Sequence, residues 1–328
     1  MDRRAVQIFV EDLDTAIEEG TRNTTCLYPG CSNSPIGSHV IARRTLKQIA
    51  EKSHVLTWLL TTTWDMVHTL GVGESLEQLN QEPMSVGIGD KRKVTDPLFC
   101  NEHDGKIFVP LEQQEFSFQP EQVLLLAYRA SCSLTSPNAS PAEAILKAAR
   151  KYGYAHSLDT PERLQKLARF HATDCVLEAR QHYIQMYQSQ DYSQLEYTMY
   201  LVRIPPCIAA TYSLIPVNDI DALTIVNGTQ TLTAEDVVSF SFLPYPPLNN
   251  TVCVISWLRG SQRAQQFMIL NKIGELSEKE RQDLFLALAF ESPNLYISPV
   301  WWKKLSEAKR EEYKQIHLNV GTEHAELV

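Results

Sequence analysis

The sequence predicts an α+β protein. An N-terminal module held by cysteine and histidine side chains is followed by a helical middle and a C-terminal antiparallel sheet with flanking helices. Three observations carry this reading. Two short-spaced pairs of soft ligands, Cys26/Cys31 and Cys100/His103, lie in the first third of the 328 residues. From Pro120 the apolar residues recur at helical spacing, and from Leu195 the period shifts toward two, in runs separated by Pro, Asn and Gly.

In chain order, residues 4–20 read as a short helix closed by Gly20. After the first cysteine pair, Ile41, Leu46 and Ile49 lie at helical spacing with Arg43, Arg44 and Lys47 on other faces. His54–Thr63 is rich in β-branched and aromatic residues and reads as either a strand or a buried helix. Residues 71–97, with four glycines and two prolines, read as a long irregular loop. Glu121–Ser131 and Pro141–Tyr152 read as helices. A longer helix from Thr160 to about Tyr187 has Thr160 as N-cap and Pro161 at the first helical position, with Phe170, Leu177 and Ile184 as its apolar stripe. Five short strands follow, Tyr197–Ile204, Ile208–Ile215, Leu223–Val226, Val237–Leu243 and Thr251–Leu258. They have no room for helical crossovers, so an antiparallel meander is expected. Ser261–Leu270 and Ser277–Phe290 read as helices, the second with a Ser277/Glu280 capping box, and Trp301-Trp302 as an anchor against the sheet. The expected divisions are 1–115, with an insertion at about 53–97, then 116–193 and 194–328.

Composition narrows the classes. With 44% hydrophobic and 21% charged residues the chain is globular rather than disordered. No apolar run approaches the ~18–20 residues of a membrane span, and the N-terminus lacks an apolar leader, so a cytoplasmic protein with no membrane partner is expected. Cysteines number seven, an odd count; Cys132, Cys175, Cys207 and Cys253 sit in apolar stretches and read as small buried hydrophobes of a reducing compartment. A net charge of −9 argues against a protein that coats nucleic acid. Two patches run the other way: Arg43, Arg44, Lys47 and Lys52, and Lys91-Arg92-Lys93.

Cys26 and Cys31 flank a Pro-Gly turn, and Cys100-x-x-His103 is a compact second pair, which together suit a tetrahedral structural zinc ion. His39, in Ser38-His39-Val40-Ile41, follows the first pair by eight residues. The order resembles the HNH (ββα-metal, treble-clef) nuclease family over roughly residues 20–115. On that resemblance Cys26, Cys31, Cys100 and His103 hold Zn²⁺. His39 is the general base, and Asp104, together with Ser38, falls where a catalytic Mg²⁺ or Mn²⁺ is held. Arg43, Arg44 and Lys47 are then phosphate contacts for a nucleic-acid partner. The implied function is metal-dependent phosphodiester hydrolysis, in the manner of bacterial effectors that defend against phage, with residues 116–328 serving a protein partner or a homo-oligomer. Ser38 stands where the family commonly has a carboxylate or histidine, and the family's asparagine is absent, with Thr95 and Asp96 the nearest polar residues. Those departures fit a second reading, a catalytically degenerate zinc module that acts as an interaction scaffold. On the long helix His171, Cys175, Glu178 and His182 share one face at i, i+4, i+7 and i+11, which reads as a polar bundle face more economically than as a metal site.

Overall fold

In the computed structural model of the chain, residues 25–58, 82–90, 94–134, 174–215, 233–270 and 273–318 are described. Two sheets organise them. The small one pairs β1 (Ile36–His39) with β4 (Thr95–Phe99). The large one has seven strands in the order β3 (Met84–Gly87), β2 (His54–Thr57), β9 (Leu295–Ile297), β6 (Ile208–Leu214), β7 (Val238–Tyr245), β8 (Asn250–Leu258) and β5 (Leu195–Val202). All its pairings are antiparallel.

Both faces of the large sheet are buried at its central strands β6, β7 and β8. One carries Ile208, Ala210 and Tyr212 of β6, Phe240 and Phe242 of β7, and Cys253 and Ile255 of β8. They pack with Phe285, Ala289 and Phe290 of α7 (Glu278–Phe290), Trp302 of α8 (Pro299–Lys304) and Tyr313 of α9 (Glu307–Leu318). On the other, Leu243, Val252 and Val254 meet Val123, Leu124 and Tyr128 of α4 (Pro120–Leu134) and Val176, Ala179 and Tyr183 of α5 (Asp174–Ser189). This second face also buries hydroxyls, which pair with each other: Ser213 with Ser239 at 2.8 Å and Thr211 with Ser241 at 2.9 Å. Mutual pairing is what makes a buried hydroxyl tolerable. Residues Cys26, Phe99 and Cys100 belong to the same core as α4 and β8, so the N-terminal third shares its interior with the rest of the chain.

Several expectations hold. Pro120–Leu134 is a helix. Ser277 caps α7, its hydroxyl accepting from the Glu280 N–H while Glu280 accepts from the Ser277 N–H. Gln262–Leu270 (α6) follows as read, and Trp302 packs edge-on to Trp58 at 5.9 Å. All seven cysteines are free, and Cys132, Cys175, Cys207 and Cys253 are buried. Other expectations need correction. Only β6, β7 and β8 form a meander; β5 pairs with β8 instead of β6. Pro205 and Pro206 lack the N–H groups that a β5–β6 hairpin would use. Residues 71–97 are not simply a loop, because Met84–Gly87 and Thr95–Phe99 are strands. Pro97 gives Thr95–Phe99 an irregular sequence, yet it lies opposite Gly37 in a two-stranded ladder, and proline is tolerated in edge strands. His54–Thr57 is a strand. The helices read at 4–20 and 141–152, the start of the helix from Thr160 and the strand at 223–226 lie outside the described residues.

His317, on the last turn of α9, gives the fold a pH dependence. It is 3% exposed, its Nδ1–H donates to the Phe290 carbonyl at 2.7 Å, and its ring stacks on Trp58. Burial pushes its pKa down to about 4. Between that value and the ordinary ~6.5 the unfolded chain holds a proton that the folded one refuses, so stability falls as pH drops through this window. Asp96 and Glu291, whose carboxyls burial raises to about 6 and about 7, act in the opposite sense, since folding favours their neutral forms. The wild type's stability advantage over a His317→Phe variant should therefore shrink by about 3 kcal/mol from pH 7 to pH 4, read by urea melts at each pH. A pH-independent difference would contradict the assignment.

Candidate metal centre

Cys26 and Cys31 are brought together by a tight turn. The Cys31 N–H donates to the Tyr28 carbonyl at 3.1 Å, Pro29 sits at the second position, and Gly30 has φ +76°. This is the pattern of a type II turn, which needs glycine where φ is positive. The turn is tied to β4 by the Leu27 N–H to the Leu98 carbonyl at 2.9 Å. β4 leads directly into Cys100, the N-cap of α2 (Asn101–Ile107), and His103 lies within that helix's first turn.

The four side chains converge, with their ligand atoms all within 4.8 Å of one another. Cys26 Sγ is 3.5 Å from His103 Nδ1, Cys100 Sγ is 3.2 Å from the same atom, and Cys31 Sγ is 3.9 Å from Cys100 Sγ. A tetrahedral zinc with bonds of about 2.3 Å to sulfur and about 2.0 Å to nitrogen sets its donors about 3.4–3.8 Å apart. The three spacings of 3.2, 3.5 and 3.9 Å lie near that range, the remaining pairs fall within 4.8 Å, and three thiols with an imidazole are a donor set suited to zinc. The cluster can hold a metal such as zinc. Burial opposes a thiolate at Cys100, but the backbone N–H and ring of His103 and the neighbouring thiols outweigh it and hold its pKa below the ordinary thiol range. Burial pushes Cys26 upward. Around the ligands, Asn33 Nδ2 approaches Cys100 Sγ at 4.0 Å, and the Tyr28 ring stacks on His103 at 3.9 Å. Tyr28 is itself held by Gln188 of α5, 2.9 Å from its hydroxyl. Such outer contacts fix ligand orientation. Neither Tyr28 nor Asn33 stands out in the sequence, where nothing but proximity to the cysteines marks them.

His39 ends β1 and is half-buried. Its Nε2 lies 3.2 Å from the Ile88 carbonyl, and burial lowers its pKa below the ordinary imidazole value. The Ile88 contact and Glu112 pull the other way, while Arg129 and Arg43 add to the lowering. A carbonyl only accepts, so Nε2 carries the hydrogen and Nδ1 keeps its lone pair. Ser38 is 1% exposed and its hydroxyl accepts the Phe99 N–H at 3.3 Å. Asp104 is half-buried on α2, and its Oδ1 has no hydrogen-bond partner. Among the described residues, no group of three or more His, Cys, Asp or Glu side chains brings His39 or Asp104 together with further ligands.

Arg43 and Lys47 of α1 (Arg43–Ile49) are exposed. Arg44 is half-buried, 3.4 Å from Glu115 and 3.3 Å from the Gln113 carbonyl. Lys91-Arg92-Lys93 lies outside the described residues. On α5, Cys175 is buried whereas Glu178 and His182 are exposed, so these do not form one ligand face; His171 lies outside the described residues. Glu112, the last residue of the short helix α3 (Val109–Glu112), and Arg129 of α4 were not singled out from the sequence. Arg129 Nη1 donates to Glu112 Oε1 at 2.9 Å, and its guanidinium lies over the Phe108 ring at 3.9 Å. A lone arginine inside the apolar run Val123–Cys132 was the available signal, because arginine is rarely buried without a partner.

No protein-family model, no curated protein and no solved structure matches the chain. No helix among the described residues is long and apolar enough to cross a membrane.

Proposed function

We propose that the chain is a zinc-stabilised, HNH-like endonuclease in which His39 is the general base. The observation that carries this is the placement of His39 at the end of β1, anchored through Nε2 on the Ile88 carbonyl so that Nδ1 keeps its lone pair, in a half-buried setting that favours the neutral ring. The chain order supports the treble-clef reading, running from a cysteine turn through the antiparallel pair β1–β4 to a helix that starts with the second ligand pair. Zinc on Cys26, Cys31, Cys100 and His103 would cross-link this frame. His39 Nδ1 would take a proton from the water that attacks phosphorus, the phosphodiester P–O bond would break, and the leaving oxygen would gain a proton from solvent. Arg43 and Lys47, exposed on the helix that follows His39, are available to nucleic-acid phosphates.

Cleavage of plasmid DNA and of RNA, with Mg²⁺ and with Mn²⁺, tests the reading. His39→Ala should lower the rate by roughly 10²-fold or more with zinc content and melting unchanged, since the ring makes one hydrogen bond to the fold. Equal rates in the two proteins would remove His39 from the chemistry. The second reading, a zinc-bearing interaction scaffold, is favoured by the inward-turned Ser38 hydroxyl and the isolated Asp104. Zinc at one per chain without cutting under either metal would select it.

A further inference from the structure

β5 is an outer strand of the seven-stranded sheet and pairs on one side only, with β8. Its free backbone groups can be assigned. One step beyond Leu195 opposite Leu258, the Arg259 N–H donates to the Gln194 carbonyl at 2.8 Å. Bonded pairs alternate along an antiparallel ladder, so the positions of β5 that bond β8 are the even-numbered ones. The N–H and C=O groups of Tyr197, Met199 and Leu201 therefore point out of the sheet, where they meet no backbone partner among the described residues.

Edge strands are ordinarily protected by charge, proline, a bulge or brevity. β5 is eight residues long and keeps one register with β8 throughout. From 197 to 202 it reads Tyr-Thr-Met-Tyr-Leu-Val, with neither charge nor proline. The opposite edge strand among the described residues, β3, has four residues. Met199 and Leu201 are 36% and 46% exposed and share a face with Tyr197. On the other face Tyr200 packs on Phe285 of α7 at 5.3 Å.

The strand is complementary to itself. A second copy of β5 laid antiparallel about a two-fold axis at Met199 sets Met199 against Met199, Tyr197 against Leu201 and Thr198 against Tyr200. The outward backbone groups then fall opposite each other, and three bonded pairs supply about six main-chain hydrogen bonds. No like charges meet across the axis. Glu196 takes Trp257 Nε1–H at 3.0 Å and lies 3.4 Å from Arg259, while Arg203, 74% exposed in its side chain, holds Glu278 at 2.8 Å. In this register each Arg203 comes diagonally beside Glu196 of the other copy, once at either end. A two-fold pairing consumes both edges, so assembly stops at two chains.

We propose that β5 is a homodimer interface, through which two copies of the chain join their large sheets edge to edge, antiparallel and centred on Met199. The interface does not depend on zinc or on nuclease activity, and it is read without either.

Sedimentation velocity of the full chain from about 1 to 100 µM tests this, and the upper end should show a particle of twice the chain mass. Met199→Lys and Met199→Glu each place a charge against its own copy at the axis. Each should weaken the dimer at least roughly tenfold. Because Met199 is exposed, circular dichroism and melting of both variants should match the wild type. An equimolar mixture of the two should restore the dimer, with Lys opposite Glu, which neither a damaged fold nor an interface elsewhere would do. The proposal is overturned if the wild type stays a single chain at about 100 µM, which would leave the edge to a strand from a different protein. It is equally overturned if either variant dimerises as well as the wild type, or if the mixture dimerises no better than its components.

Discussion

Cys100→Ser protein should purify without its metal and melt about 10 °C lower than wild type. Structural zinc sites carry apparent binding free energies of about 10–16 kcal/mol, and losing on the order of 4 kcal/mol of that produces such a shift in a chain of this size. The substitution isolates the metal well. Cys100 makes no side-chain cap bond to α2, and serine is itself a favoured N-cap, so the helix start is not weakened by the exchange. What goes is the donor central to the cluster, 3.2 Å from His103 Nδ1 and 3.9 Å from Cys31 Sγ. Chelator should lower the wild-type melting by a similar amount and leave the variant unmoved. One metal per chain retained in the variant, or an unaltered melting curve, would show that the four side chains do not hold a structural ion.

Glu112→Ala should cost about 3–5 kcal/mol of unfolding free energy. The carboxylate is 28% exposed in its side chain, but its partner Arg129 is at 2% and pairs with no other anion among the described residues. Removing Glu112 leaves a buried cation supported by the Phe108 ring alone, and it also strips the Arg43 N–H of its acceptor. A Glu112→Leu/Arg129→Met double variant should recover most of the loss, because exchanging both members of a buried pair for apolar groups removes the stranded charge. Urea melts of the single and double variants decide it. A single-variant cost below about 1 kcal/mol would mean that water, not Glu112, compensates Arg129.

What the sequence made legible follows from how local each signal is. The Ser277/Glu280 box and the Pro-Gly turn between Cys26 and Cys31 are complete within a few residues, and both are found as read. The two ligand pairs were readable because each is short, although their meeting depends on contacts 77 residues apart. β9 was invisible because it has three residues and exists through its neighbours β2 and β6. β4 was hidden by Pro97, and β5 was assigned the wrong neighbour because strand order is a property of the whole sheet. Cys26, Cys31, Cys100 and His103 were legible as a cluster from their spacing. Glu112 and Arg129 were not, since they come from separate helices and acquire meaning only beside each other.

The joining of β2 to β9 also bears on the order in which the chain assembles. Thr57 Oγ1 bonds the Leu295 carbonyl across 238 residues of chain, and Leu56 pairs with Ile297. Closing so long a span costs about 5 kcal/mol of chain entropy before any pairing rewards it, and topologies dominated by such distant contacts fold slowly. During synthesis the N-terminal hairpin of β2 and β3 would wait for a neighbour that emerges last. The metal ligands wait for much less, since all four are present once His103 has left the ribosome. A metal captured by the four side chains would then act as an early clip, gathering both ends of the β2–β3 excursion while the sheet that will finally receive it is still being made.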